Sequence, residues 1–434
     1  MTTLRVDRDR LWGSLMELKE IGAYQDEATG LQGVRRLALT DADAEARRRC
    51  VEWMLEAGLE VRVDRIGNVY ATRPGTDRSL PCVLMGSHID TVATGGAFDG
   101  TLGVLGGLEV MRALNDAGVQ TLRDVEVGFF TEEEGVRFGT DMLGSAVTAG
   151  RIPIEHAWQL TDLDGRTVKE ELERIGFDGP SHELRPVPHA YVECHIEQGP
   201  ILADAGVNVG IVEGVQSISW QRLTVQGEAA HAGTTPIGSR HDAGLVAAHV
   251  VVEARRMCDS GDYGQLRATV GNLDLGEGQT NVIPHHAVLT VDLRNPDDEL
   301  MTRAEKDLAE YVDGLAQAHG VTVEWERMAK TAVIPFDPGV QALLEATADD
   351  LGLGYVRAMS GAGHDAQEIA AICPTAMVFV RGEHGGISHT PREYSTPQAC
   401  GDGTDVLANA ILRLANQPGD RPGQQSAPRP QNQS

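Results

Sequence analysis

Between residues 217 and 328 the apolar residues switch repeatedly between a period of two and helical spacing, and this most restricts what the chain can fold into. SISWQRLTVQG (217–227) reads as a strand, DAGLVAAHVVVEARRMC (242–258) as a helix, and RATVGNLDL (267–275) and HAVLTVDLR (286–294) as two strands. EKDLAEYVDGLAQAHG (305–320) follows as a helix and VTVEWERM (321–328) as a last strand. That order, β-α-β-β-α-β, is the ferredoxin-like pattern, in which two helices cover one face of a four-stranded sheet.

The flanking sequence has another rhythm. PCVLMG (81–86) reads as a buried strand, DVEVGFF (124–130) as a second and YVECHI (191–196) as a third, and LGVLGGLEVMRAL (102–114) repeats Leu102, Leu105, Leu108 and Met111 at helical spacing. After residue 330 the alternation resumes with a helix at 339–351, a strand at 375–381 and a helix at 397–415. The expected fold class is therefore α/β. A large discontinuous domain with a mixed sheet (1–215 and 331–415) carries an inserted small domain (216–330), and a tail rich in Pro, Gln, Gly and Ser (416–434) is expected to be disordered.

Composition narrows the function classes. The 434 residues carry a formal net charge of −27, which repels phosphate backbones and anionic lipid, so neither nucleic acid nor membrane is an expected partner. No apolar run reaches the roughly 18 residues of a membrane span, the first ten residues lack the apolar core of a secretory signal, and the six cysteines are scattered without a CxxC. A cytoplasmic protein with free thiols is expected.

The chemistry-bearing residues lie at predicted strand ends. In GSHIDTVATGGAFDG (86–100), His88 and Asp90 are two apart and leave one face of the chain. Asp90 is placed to take the second ring N–H of a metal-binding His88. Asp99 follows in a glycine-rich loop ahead of a helix. FFTEEEG (129–135) ends an apolar strand with three carboxylates, Glu132, Glu133 and Glu134. His195 in YVECHIEQGP and His389 in GGISHTPRE are expected at further strand ends. Imidazoles and carboxylates gathered at neighbouring strand ends of an open α/β sheet supply nitrogen and oxygen ligands for two borderline divalent metals. His156, His182, His189, His249 and His319 sit in no motif; His241 and His364, each followed by Asp-Ala, read as loop and helix-start structure.

These motifs, with AAHAGTTPIGSRHDA, QTNVIP and SGAGHDA, occur in an order and spacing that resembles the N-carbamoyl-L-amino acid hydrolase, allantoate amidohydrolase and β-ureidopropionase group of the dinuclear metallopeptidase-like amidohydrolases. The resemblance runs from the helix near Leu11 to Ala415. It implies two divalent metal ions (Zn, or Mn, Co or Ni), with Asp99 bridging both, His88 and His195 completing one site, and Glu134 and His389 the other. It makes Glu133 the general base, and it implies a cis peptide between Asp99 and Gly100. Related peptidases have a carboxylate where this chain has His195, which points to the carbamoyl-hydrolysing branch.

The implied substrate is an N-carbamoyl-L-amino acid or a close ureido acid such as allantoate. Arg294, at the end of its strand, is suited to hold the substrate carboxylate through paired hydrogen bonds. By the same resemblance Gln198, Asn281 and His231 are substrate contacts, as is the main chain of Gly361 and Ala362. The resemblance also makes the small domain a lid and dimerisation domain, with His231 reaching the partner subunit's site in a homodimer. One departure is Arg381-Gly382, where relatives usually have Pro-Ser, in a loop bordering the pocket. The competing readings are a dipeptidase or N-acyl-L-amino acid hydrolase with the same metals, and a non-catalytic ligand-binding relative; the latter would be expected to have lost Glu133 or a ligand, and none is missing.

Overall fold

A computed structural model describes residues 3–180, 187–276 and 278–418. The expected disordered tail lies, from Gly419 on, outside the described residues, as does His182. The chain divides into two compact units. The first runs to Glu213 and resumes over Phe336–Ala358 and from Gly363 onward; the second is Gly214–Pro335 with Met359–Ala362. Against the expected boundaries of 216–330, the second unit is slightly longer at both ends and includes a short later segment.

The first unit is built on a mixed sheet. Seven of its nine strands run in the spatial order Val209–Val215, Thr375–Val380, Ala190–Ile196, Val83–His88, Val125–Phe130, Val69–Arg73 and Glu60–Val63. The four from Thr375–Val380 to Val125–Phe130 are parallel neighbours, and the strands outside them are antiparallel. Every residue of those four is buried, which explains why they are mainly apolar, with polar residues chiefly towards the ends that carry His88 and His195.

The helix Thr101–Asp116 packs on this sheet and against the helices Arg8–Lys19 and Pro397–Ala415. It approaches closely because of Gly103, where a β-carbon would come within 2.5 Å of the Cys194 carbonyl oxygen and 2.7 Å of Ser87 Cβ. The parallel strands end at one edge, and the polar segments that follow them cluster there.

The second unit has the expected order: strand Ser217–Gln226, helix Ala243–Ser260, strands Arg267–Asp274 and His286–Asn295, helix Asp298–His319 and strand Thr322–Thr331. Its sheet places the second strand beside the third, then the first, then the fourth, all antiparallel. Alternation decides the faces: Ala287, Leu289, Val291 and Leu293 are buried in one cluster with Val246, Val250, Met301, Leu308 and Val312 of the helices. Asp292 and Arg294 stand on the other face. The second helix begins at Asp298, ahead of the expected 305, because Asp297 caps it by accepting the Glu299 and Leu300 N–H groups at 2.9 Å each. Among the described residues no helix is long and apolar enough to cross a membrane.

Candidate metal centre

Asp99 has one carboxylate oxygen for each of two groups of side chains in the first unit. Its Oδ1 lies 3.1 Å from His195 Nε2 and 3.7 Å from His88 Nε2. Its Oδ2 lies 3.2 Å from His389 Nε2, which is itself 3.4 Å from Glu134 Oε2. In each of the sets His88–Asp99–His195 and Asp99–Glu134–His389, ligand atoms lie within 4.8 Å of one another. His88 and Glu133 also meet, with Nε2 to Oε2 at 3.4 Å.

The sheet positions these groups. His88 is the last residue of its strand and His195 the last but one of the parallel neighbour. The Glu triplet follows Phe130, which pairs with His88 across the ladder. The triplet splits by direction. Glu132, in the left-handed region with φ 56°, turns its carboxylate inward to accept the Arg137 and Phe138 N–H groups at 3.0 and 2.7 Å. Glu133 and Glu134 are left to face the histidines. His389 is not at a strand end as expected. It lies in the loop beyond Thr375–Val380, after the short turn His384–Gly386, and reaches Asp99 from there.

The histidine tautomers follow from their neighbours. His88 Nδ1 lies 3.0 Å from the main-chain oxygen of Asp90, and His195 Nδ1 lies 2.8 Å from that of Ile196. A carbonyl oxygen can only accept, so each Nδ1 carries the proton and each Nε2 presents its lone pair. Asp90 therefore orients His88 through its backbone, whereas its carboxylate was the expected partner. That carboxylate instead accepts the Glu133 and Glu134 N–H groups at 3.3 Å each, fixing the turn that carries them.

The Asp99–Gly100 peptide is also not as expected: every described peptide bond is trans. The chain turns at Gly100 through φ 61°, where a β-carbon would run into the His88 ring.

His88 Nε2 is buried without a hydrogen-bond partner among the described residues. A lone pair facing two carboxylates is repulsive unless a cation sits among them, so this donor set fits divalent metal. The electrostatics agree. Burial holds the His88 imidazole down at about 4. Burial, then the charges of Asp365, Glu134 and Asp99, pushes Glu133 well above the usual carboxylate range, and burial with Asp99 and Asp90 does the same to Glu134. Asp99 goes the other way: burial would raise it, but the His195 and His389 imidazoles facing its two oxygens hold it well below.

Gln198 donates its Nε2–H to Asp99 Oδ2 at 2.8 Å, and Ser388 donates its hydroxyl to the same oxygen at 2.9 Å. Glu393 fixes the backbone beneath, accepting the Phe98 and Asp99 N–H groups at 2.9 and 3.1 Å, and its Oε2 lies 2.7 Å from Ser388 Oγ. Glu193 accepts the Ser87 and Tyr191 hydroxyls and the Ala366 N–H at 2.6, 3.2 and 2.8 Å. Sequence reasoning named none of Ser388, Glu393 and Glu193. Their signal was proximity to the quoted histidines, in GISHTPRE and YVECHI. His364 does start a helix, as expected, but its ring also lies 4.5 Å from that of His195, and Glu193, His195 and His364 form a third group with ligand spacing.

The remaining predicted residues belong to the second unit. His231 is exposed, and its Nδ1 accepts the Gly233 and Thr234 N–H groups at 3.0 and 3.2 Å, which leaves Nε2 as the protonated, outward nitrogen. Asn281 lies beside it, its carbonyl accepting the Ala232 N–H at 2.9 Å. Arg294 gives Nε and Nη2 to Asp292 at 3.0–3.2 Å and Nη1 to the Gly361 carbonyl at 2.7 Å, next to Ala362.

Residues 84–413 match the model of "Peptidase family M20/M25/M40". The chain is 38% identical over 412 residues to the N-carbamoyl-L-amino-acid amidohydrolase of Rhizobium meliloti, covering 95% of this chain and 97% of that one. It is 38% identical over 418 residues to the N-carbamoyl-L-amino acid amidohydrolase of Geobacillus stearothermophilus, covering 94% and 99%. The crystal structure of an amidase of the hydantoinase/carbamoylase family from Burkholderia multivorans superposes with a TM-score of 0.90 at 40% identity, covering 96% of this chain and all of that one. With the matched region spanning most of its length and both ligand sets inside that region, the chain belongs to the M20/M25/M40 peptidase family.

Proposed function

We propose that the chain is a dinuclear metal-dependent amidohydrolase that cleaves the ureido C–N bond of N-carbamoyl-L-amino acids or a close ureido acid such as allantoate. The reading is carried by Asp99, whose two oxygens each face a separate histidine-containing group, in a chain similar over nearly its whole length to an N-carbamoyl-L-amino-acid amidohydrolase. The family is metal-dependent. His88, His195 and Asp99 would hold one ion, and Glu134, His389 and Asp99 the other. Two such ions supply Lewis acidity that favours ionisation of a water and polarises a carbonyl, and their four positive charges exceed those of the two carboxylates, which suits an oxyanion.

Glu133 removes the proton of the attacking water and later delivers it to the departing nitrogen. The water oxygen bonds to the ureido carbon, the C–N bond breaks, and ammonia leaves with a carbamate that loses carbon dioxide. Asp90 holds the Glu133–Glu134 backbone in register for this transfer. Arg294 is anchored by Asp292 and Gly361 but keeps one N–H on each of its two terminal nitrogens, enough for a bidentate substrate carboxylate. Asn281, Gln198 and the Gly361–Ala362 backbone are proposed as further contacts. The exposed His231 is proposed to serve the partner subunit's site in a homodimer, with the second unit as lid and dimerisation domain.

The test is ammonia release from carbamoyl L-amino acids and allantoate, alongside release of the free amino acid from carbamoyl, formyl and acetyl L-amino acids and dipeptides, with metal content measured on the same samples. Two divalent ions per chain and turnover of carbamoyl or ureido acids are expected. Turnover confined to acetyl amino acids or dipeptides would refute the substrate assignment.

A further inference from the structure

Arg267 opens its strand directly opposite Arg294 in the antiparallel pair, so the two guanidinium groups rise from one face of the second unit's sheet. Like charges placed directly across a ladder destabilise it, and the two arginines differ in how their charge is met. Arg294 is neutralised by Asp292, which takes its Nε and Nη2. Arg267 makes no hydrogen bond or ion pair among the described residues. Yet it does not stand apart from the cluster. A β-carbon on Gly361 would come within 2.8 Å of Arg267 Nη1, so its guanidinium lies against the same glycine whose carbonyl accepts from Arg294 Nη1 at 2.7 Å and from Gln216 Nε2 at 3.1 Å. Gln216 also donates its backbone N–H to the Ser360 carbonyl at 3.1 Å, which holds the short segment in place. Two guanidiniums and one carboxylate around Gly361 leave a single positive charge that no group among the described residues pairs with.

We propose that Arg267 is a second guanidinium of the substrate-carboxylate site and supplies its uncancelled charge, with Arg294 fixing direction through its remaining N–H pair. The inference rests on the reading that the chain hydrolyses ureido acids, and it extends that reading to specificity. Because Asp292 offsets Arg294, an incoming carboxylate meets a nearly neutral Arg294–Asp292 pair and a charged Arg267. The site therefore selects substrates with an ionised carboxylate over neutral ureides through Arg267.

The test compares N-carbamoyl-L-alanine with N-carbamoyl-L-alaninamide, which differ only in that carboxylate. Arg267→Gln should raise KM for the acid about tenfold or more, the size of a lost charge-assisted hydrogen bond, and move the amide less than about threefold. Arg267→Lys should recover part of the loss on the acid, since the residue acts as charge. Thermal melts of each variant establish that the fold is intact. Equal effects of Arg267→Gln on acid and amide, or none on either, overturn the inference while leaving the hydrolase reading in place. A wild type that releases ammonia from neither compound nor from allantoate overturns that reading and the inference with it.

Discussion

Replacing Glu393 tests how the loop carrying Asp99 is held, independently of any chemistry at the site. The Glu393 carboxylate is buried, and its Oε1 accepts both the Phe98 and the Asp99 N–H, while Oε2 lies 2.7 Å from Ser388 Oγ. Glu393→Ala leaves two buried backbone N–H groups without an acceptor, at about 1–3 kcal/mol each, for a loss of about 2–6 kcal/mol. The Ser388 hydroxyl is spared because it also reaches Asp99 Oδ2. Glu393→Gln keeps an oxygen for both N–H groups, and its new NH₂ donates to Ser388 Oγ, so it loses only the charge-assisted part, about 1 kcal/mol. Guanidinium unfolding followed by tryptophan fluorescence reads the difference. Trp12 reports on this region because its ring packs on Phe98 and Tyr394, with centroids 5.6 and 6.0 Å apart. The Ala variant should unfold at clearly lower denaturant than the Gln variant. Coincident curves for the two would refute the assignment of the stabilisation to those backbone hydrogen bonds.

Glu133→Gln should keep its metal and lose about a hundredfold in turnover; near-normal turnover of a metal-replete sample would remove Glu133 as the base. Glu171 gives a pH prediction. Burial would raise its carboxyl, but hydrogen bonds from Arg174, Arg137 and Arg166 outweigh that and hold it at about 2. Its stabilisation is fully present above the ordinary value of about 4.3 and is lost as the pH falls through about 2. Melting temperatures from pH 5 down to 2 should thus converge for wild type and Glu171→Gln, and a constant gap would contradict the linkage. Mixing inactive Glu133→Gln chains with inactive His231→Ala chains should restore up to about a quarter of wild-type activity, since random two-fold pairing makes about half mixed dimers with one working site each. No recovery, with mixed dimers seen by mass spectrometry, would place His231 in its own subunit's site or in none.

The order of elements was legible in the sequence because it rests on local periodicity. Alternation at Ala287, Leu289, Val291 and Leu293 and helical spacing in 242–258 are properties of contiguous residues, and they determined the antiparallel unit and its buried face. The motif residues His88, Asp99, Glu133, Glu134, His195 and His389 were legible as imidazoles and carboxylates in short runs, while their separate roles came from the order and spacing of motifs that resemble a known family. Only the tertiary structure decided what each group faces. Whether Asp90 meets His88 by its carboxylate or its carbonyl depends on where the Glu133–Glu134 turn lies, more than 40 residues away. That Asp99 turns one oxygen to each ligand set depends on a sheet edge and on a loop brought close by Ser388 and Glu393, nearly 300 residues later. The pairing of Arg267 with Arg294, and its meeting with Gly361, likewise depends on strand register and on a chain return. Side-chain period fixes a face, but direction within that face is set by partners distant in sequence, and no local pattern encodes them.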